Sequence, residues 1–320
     1  MEFPRNILVT GGAGFIGSHL VDRLLARDCR VMVLDDFNDY YDPRIKRANV
    51  AAHLKDERYT LVEGDIRDRE LLARIFHGGN FDIVVHLAAR AGVRPSLTLA
   101  PLYCDVNVGG TSLLLDAAVR AGIRKFVFAS SSSVYGDNEK VPFSETDPVD
   151  NPVSPYAATK RAAELVCHSY HHLHGMDISC VRFFTVYGPR QRPEMAIHKF
   201  TRLISEGKPV PMFGDGATQR DYTYIDDIID GIISIIERHR GYEIYNLGDS
   251  NPISLAQLID LIQKALGKRA VIKREPPQPG DVRRTFADIE KARRMLGYEP
   301  RVPIDDGIRR FVRWYQEHAL

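Results

Sequence analysis

The four cysteines of this sequence, Cys29, Cys104, Cys167 and Cys180, form no C-x-x-C pair. That scatter argues against a zinc site and a disulfide framework, and a reducing setting, the cytoplasm, is the simplest fit. Neither charge is in excess, with 43 Lys and Arg against 42 Asp and Glu. A chain without basic bias carries no electrostatic footprint for nucleic acid or a membrane surface, so small molecules are the expected partners. No window approaches the apolar length of a membrane span. No charged n-region, hydrophobic stretch and cleavage site precede the first strand-like run. Nothing repeats and nothing is of low complexity. His168, His171, His172 and His174 read as the wet end of a helix, and no metal site is expected.

What is present is enough for a large core: 320 residues, 44% of them hydrophobic. Asn6 to Thr10 is a short apolar run, Gly11-Gly-Ala-Gly14-Phe15-Ile16-Gly17 follows, and Ser18 to Arg27 has helical periodicity. Strand, glycine turn and helix together make a pyrophosphate cradle, because glycine admits close backbone approach and the helix N-terminus presents free N–H groups. A second strand, Arg30 to Leu34, leads into Asp35, at the spacing where a carboxylate accepts from adenosine ribose hydroxyls. Asp36 and Phe37 follow instead of an arginine, so NAD is favoured over NADP. Asn38-Asp-Tyr-Tyr-Asp42 reads as a surface excursion. Strands are expected at Tyr59 to Val62, with Asp65 and Ile66 beyond its end near an adenine, and at Phe81 to Leu87, where small Ala88 and Ala89 follow. His86 reads as a packed strand histidine.

A helix is expected from Asn107 to Ala121, with Asn107 able to distort it by bonding backbone. A strand at Lys125 to Ala129 runs into Ser130, Ser131, Ser132 and Ser133, four hydroxyls that strand propensity does not explain. Pro155 suits the first turn of the next helix, on which Tyr156 and Lys160 share a face. An ammonium beside a phenol favours the phenolate, making Tyr156 a proton carrier and one serine its hydrogen-bonding partner. With the glycine turn, this reads as a nicotinamide-dependent carbinol oxidation site. After a strand at Asp177 to Phe184 the composition shifts to loops rich in Pro, Arg and Gly. They alternate with amphipathic stretches at 198 to 206, 226 to 238 and 254 to 266. The expected division is 1–185 for a cofactor domain and 186–320 for a nucleotide-sugar domain, with some segments of the second returning to the first.

Gly11-x-x-Gly14-x-x-Gly17, Asp35, Asp65-Ile66, His86-Leu-Ala-Ala89, Asn107-Val-x-Gly-Thr111, Ser131 and Tyr156-x-x-x-Lys160 resemble the extended short-chain dehydrogenase/reductase family over essentially the whole chain. Within it the chain resembles the nucleotide-sugar 4-epimerases. Asp36 to Asp42, Ala91-Gly-Val-Arg94, Ser130 to Gly136, Phe184 to Pro189 and Gln278 to Val282 are similar to the branch acting on UDP-glucuronate. The resemblance implies an α/β Rossmann fold, a doubly wound parallel sheet of about seven strands with a smaller C-terminal α/β lobe. It implies Tyr156 as acid/base, Lys160 on the NAD ribose, and Ser131 on the C4 oxygen. Cofactor contacts would come from Gly11, Gly14, Phe15, Ile16, Gly17, Asp35, Asn38, Asp65, Ile66, Leu87, Ala88, Ala89 and Asn107. The UDP-sugar would be met by Arg94, Ser131, Ser132, Ser133, Thr185, Arg192, Arg220 and Asp281, and dimers would join through helices near 107–121 and 156–173. Thr185 stands where glucose-type enzymes tend to have Asn, which favours a hexuronate; Gln278 stands where many have Arg. The neighbouring readings are a UDP-glucuronate decarboxylase, a 4-epimerase of UDP-glucose or UDP-N-acetylglucosamine, and a catalytically silent nucleotide-sensing module.

Overall fold

The computed structural model describes residues 3–276 and 284–318. Its centre is a seven-stranded parallel sheet. β1 (Asn6–Thr10), β2 (Arg30–Asp35), β3 (Tyr59–Glu63), β4 (Ile83–His86), β5 (Lys125–Ser131) and β6 (Asp177–Phe183) stand in the order β6-β5-β4-β1-β2-β3. The seventh strand, Tyr242–Leu247, lies outside β6 and pairs with it in parallel. It comes from the C-terminal part of the sequence, so the chain returns to its first sheet. Helices cover both faces, which is why the strands are nearly continuous in apolar residues. Alternation of side chains divides the core in two: Ile7, Val9, Val31, Val33, Ile83, Val85, Val127 and Val181 pack in one cluster. Leu8, Leu34, Val84, Phe126, Phe128, Ile178 and Cys180 pack in the other.

Two helices set the site. α1 (Phe15–Leu25) starts at Gly14 with no side-chain cap, so its first N–H groups are offered to whatever lies in front of the glycine turn. The long helix Pro155–His174 is fixed at its start by Pro155 and by Ser154, whose hydroxyl accepts from the Ala157 N–H. It ends at left-handed Gly175. His168, His172 and His174 are exposed near that end, and the His171 ring bonds the Met176 carbonyl at 2.6 Å.

The helix expected from Asn107 differs in its first turns. Asp105–Gly110 is a π-helical turn, and the regular α-helix is Thr111–Arg120. The cause is local: the Asn107 amide bonds the Arg90 backbone at both its N–H and its C=O, while the Thr111 hydroxyl takes the Asn107 carbonyl at 2.6 Å. The later amphipathic stretches form the helices Ala196–Ser205, Ile225–Arg238 and Leu255–Leu266. Ile225–Arg238 lies beside α1, bridged by Arg23 with Asp230 and by Arg27 with Glu237 at 2.7 Å. Among the described residues this part also holds three two-stranded pairings: Thr185–Tyr187 with Tyr222–Tyr224, Pro209–Phe213 with Val271–Glu275, and Gln219–Arg220 with Ile253–Ser254. No helix among the described residues is long and apolar enough to cross a membrane.

Candidate active site

A cleft of about 380 Å³ runs along the carboxyl ends of β1, β2, β4, β5 and β6, the place where open parallel sheets bind ligands. At one end lies the glycine turn. Gly11 has φ of +71°, and a Cβ there would come within 2.7 Å of the Ala88 nitrogen. A Cβ on Gly17 would stand 2.2 Å from the Gly11 carbonyl oxygen, so α1 can approach the turn only because that residue is glycine. Gly11, Gly14, Phe15, Ile16, Gly17, Asp35, Asn38, Asp65, Ile66, Leu87, Ala88 and Ala89 all line the cleft. Its backbone cradle and small walls fit a dinucleotide.

Asp35 is almost wholly buried, and its carboxylate accepts from the Ala13 N–H at 3.1 Å and the Phe37 N–H at 3.0 Å. Burial raises its pKa, and the Lys46 ammonium at 3.6 Å opposes that. Lys46 was not legible as a site residue. It is one of only two buried residues of the helix Pro43–Val50, the other being Val50 one turn on, and it lines the cleft beside Tyr40 and Tyr41. Asn49 on the same helix donates to the Ala13 carbonyl at 3.0 Å. The segment read as a surface excursion is therefore corrected to a wall of the cleft, held inward by these contacts.

Asn107 stands apart from the other dinucleotide residues. It is 2% exposed and does not line the cleft; its amide is occupied by Arg90 backbone and by Thr159 Oγ1 at 3.1 Å. It shapes the loop that carries Arg90 and Ala91. His86 is packed, as expected: its ring nitrogens bond the Thr10 and Thr111 hydroxyls at 2.6 and 2.9 Å. Burial pushes its pKa down to about 3.

The long helix puts Tyr156 and Lys160 on one face, toward the cleft. The Tyr156 N–H donates to Ser96 Oγ at 3.1 Å, and its ring meets that of Tyr103 edge-on at 6.2 Å. Tyr103 is in turn tied to the Ala91 carbonyl at 2.6 Å. Burial raises the Tyr156 phenol; its hydrogen bond with Ser131 and the charge of Arg192 pull it down. The Lys160 ammonium lies 6.0 Å from the Tyr156 ring centroid and donates to the Ala129 carbonyl at 2.7 Å. The expectation that Lys160 brings the tyrosine down is thus not met in this geometry, where Ser131 and Arg192 act in that sense and burial outweighs them. Lys160 itself is pushed down to about 8 by burial.

At the other end, Ser131, Ser132, Ser133 and Thr185 line the cleft with Arg192 and Met195. Ser131 caps the tight turn Ser132–Tyr135, accepting from the Ser133 N–H at 3.1 Å. Arg94 and Arg220 do not line it. The Arg94 guanidinium is 5.1 Å from the Phe213 ring centroid, and Arg220 bonds the Gln219 carbonyl at 2.8 Å. Asp281 and Gln278 lie outside the described residues. A phenol with a serine beside it whose hydroxyl donates to Ser133 Oγ at 3.1 Å, an ammonium, a dinucleotide cradle and a row of hydroxyls can remove a carbinol proton, accept the hydride on a cofactor and hold a polar group beyond the carbinol.

Known proteins agree with this arrangement. A UDP-glucuronate 4-epimerase of Thermodesulfobacterium geofontis is 45% identical over 312 residues, 97% of this chain and 96% of that protein. The crystal structure of UDP-glucuronic acid 4-epimerase from Bacillus cereus, in complex with UDP-glucuronic acid and NAD, superposes with a TM-score of 0.92 at 36% identity, covering 97% of this chain and 99% of the other. The dTDP-glucose 4,6-dehydratase DesIV of Streptomyces venezuelae, with NAD bound, gives 0.91 at 38% identity, covering 98% and 97%. The family model described as GDP-mannose 4,6 dehydratase matches residues 8–311. With that match spanning nearly the whole sequence, the chain belongs to this family of extended short-chain dehydrogenase/reductases.

Proposed function

We propose that the protein is an NAD-dependent isomerase that inverts C4 of a UDP-hexuronate, interconverting UDP-glucuronate and UDP-galacturonate through a transient 4-keto sugar. The observation that carries this reading is that one cleft joins the glycine cradle, Tyr156 with Lys160, and the hydroxyls of Ser131, Ser132, Ser133 and Thr185. The names of the relatives support the substrate. Bound NAD supplies the hydride acceptor and returns the hydride to the opposite face of the sugar. Gly11, Gly14 and Gly17 hold its pyrophosphate at the start of α1, and Asp35 with Lys46 beside it orients the adenosine ribose.

Tyr156 takes the C4 hydroxyl proton and gives it back after the sugar has turned; Ser131 shares that hydroxyl. Ser131 and Arg192 favour the phenolate against burial. Lys160 holds the other ribose and adds positive charge to the site. Oxidation at C4 makes a β-keto acid, which loses carbon dioxide when the breaking bond stands perpendicular to the carbonyl plane. Ser132, Ser133 and Thr185 hold the carboxylate away from that orientation, with Arg192 on the same wall. Arg220 is assigned to the substrate diphosphate and Asp281 to the UDP ribose on resemblance alone, and Arg94 to the neighbourhood of the carboxylate. Residues 1–185 serve chiefly the cofactor and 186–320 the nucleotide sugar. The protein works in the cytoplasm as a homodimer joined through the helices near 107–121 and 156–173; Leu165 and Leu173, 55% and 70% exposed, put two large apolar side chains on the outside of the second helix among exposed histidines.

The test is incubation with a panel of UDP-sugars and product analysis by NMR. UDP-galacturonate from UDP-glucuronate is the expected product. Mainly UDP-pentose would make the protein a decarboxylase, turnover of neutral hexoses alone would remove the argument from Thr185, and no turnover at all would favour the nucleotide-sensing reading.

A further inference from the structure

Glu164 lies one turn beyond Lys160, so Tyr156, Lys160 and Glu164 follow one another at i, i+4 and i+8 along one side of the long helix. Its side chain is 0% exposed and that of Arg182, on β6, is 1% exposed. The Arg182 Nε and Nη2 donate at 2.9 Å each to different oxygens of Glu164. Ser130 Oγ donates to Oε1 at 2.6 Å, and Arg161 Nη1 to Oε2 at 3.2 Å. Four donors thus surround this carboxylate. The Arg182 guanidinium also lies 4.8 Å from the centroid of the Tyr135 ring, whose hydroxyl donates to Asn246 at 2.7 Å.

The location of this pair matters more than its strength. Ser130 and Arg182 are register partners across β5 and β6, and Ser131 is the next residue along. Lys160 bonds the Ala129 carbonyl and Glu164 bonds the Ser130 hydroxyl, so the helix grips two successive residues at the end of β5. Burying two charges rarely stabilises a fold more than apolar residues of similar size would. What four donors on one buried carboxylate do supply, even with Arg182 Nη1 left without a partner, is a single register between the elements they join.

We infer that Glu164 and Arg182 are positioning residues that lock the end of β5 onto the long helix, so that the Ser131 hydroxyl meets the Tyr156 phenol. The inference rests on the reading of Tyr156 and Ser131 as the proton-handling pair. A purely structural pair would be replaceable by apolar residues without loss of rate.

The decisive protein is the double variant Glu164→Met with Arg182→Leu, prepared with bound NAD. Its thermal midpoint should equal or exceed that of the native protein. Its kcat should fall about 10- to 100-fold, as sub-ångström misplacement does, with KM for UDP-glucuronate changed by less than about twofold. A second measurement needs no turnover: the ionisation of Tyr156, read as an ultraviolet difference against Tyr156→Phe, should move to higher pH as the Ser131 bond is lost. If the double variant does not fold, Ser130→Ala cuts the same link and should shift both readouts in the same direction by less. Native kcat and native Tyr156 ionisation in the folded variant would overturn the inference while leaving the epimerase reading intact. Failure of the native protein to convert UDP-glucuronate would remove that reading, and the ionisation measurement would then decide the positioning role alone.

Discussion

The two ends of the cleft are built from different materials. At the dinucleotide end the pyrophosphate cradle is backbone and small residues, Gly11, Gly14, Gly17, Ala88 and Ala89, where Cβ atoms on Gly11 and Gly17 would collide with main chain, and Asp35 and Lys46 stand beyond it. At the sugar end the walls are side chains from separate segments, Ser131 to Ser133 at the end of β5, Thr185 after β6, Arg192 and Met195 beyond it, and Tyr40 after β2. A site made by backbone tolerates little change at a few positions and is indifferent to many others. A site made by converging side chains can be retuned one residue at a time, which fits a family whose members include both epimerases and dehydratases.

That contrast can be broken most severely at the proton carrier. Tyr156→Phe should keep the fold and bound NAD yet lose kcat by at least about 10²- to 10⁴-fold, the range for general acid/base groups. Near-native turnover measured by NMR would mean that the sugar end has another proton carrier.

Next in size is a stability effect. Burial lowers the Lys160 pKa from 10.5 to about 8, so the folded protein binds this proton more weakly than the unfolded chain does. Stability from this group therefore rises with pH between about 8 and 10.5, and below about 8 the buried ammonium is a full penalty of up to about 3 kcal/mol. Lys160→Met should raise the thermal midpoint near neutral pH, flatten the pH dependence across that window, and still lower the rate and NAD retention. A lowered midpoint near neutral pH would show that the Lys160 bond to Ala129 outweighs its desolvation.

At the backbone end, Gly11→Ala combines a left-handed φ with a 2.7 Å approach to Ala88, and NAD affinity should fall about 10- to 100-fold by equilibrium titration. Lys46→Met should weaken NAD by about tenfold, because Asp35 loses the cation that opposes its burial. If Gly11→Ala binds NAD normally and Lys46→Met does not, the dinucleotide end is governed by side chains after all.

The smallest effect sharpens the sugar end. Thr185→Val and Ser132→Ala should raise the ratio of UDP-pentose to UDP-galacturonate by about two- to tenfold, the loss of roughly one hydrogen bond to a charged group. An unchanged product ratio in both variants would take the carboxylate away from these hydroxyls.

Much of the first end was legible in the linear sequence because its requirements are local. A strand, three glycines at fixed spacing, a helix, and then Asp35 at the end of the next strand describe nearly the whole cradle. Tyr156 and Lys160 were legible for the same reason, since helical periodicity alone puts them on one face. Serines clustered at the end of β5 marked the sugar end without saying which hydroxyl faces where. Missed were Lys46 and Tyr40, because a polar segment between two strands looks alike whether it covers solvent or a cleft. Arg220 was drawn to the substrate by resemblance and Arg94 by its place near the expected carboxylate, and neither is among the residues that line the cleft.

The sequence by itself determined six of the seven strands of the central sheet and the helices that carry the site, where the dinucleotide turn lies, and which residues can carry a proton, because each depends on side-chain periodicity or on glycine within a short stretch. Only the tertiary structure decided the balance of forces on those residues. Burial raises the Tyr156 phenol and lowers the Lys160 ammonium, and desolvation is set by everything packed around a group. It also decided the partners: Arg192 near Tyr156, Lys46 beside Asp35, and Glu164 clasped by Arg182 across 18 residues of chain. Such pairs form where distant segments converge, and no spacing in the linear sequence encodes that convergence.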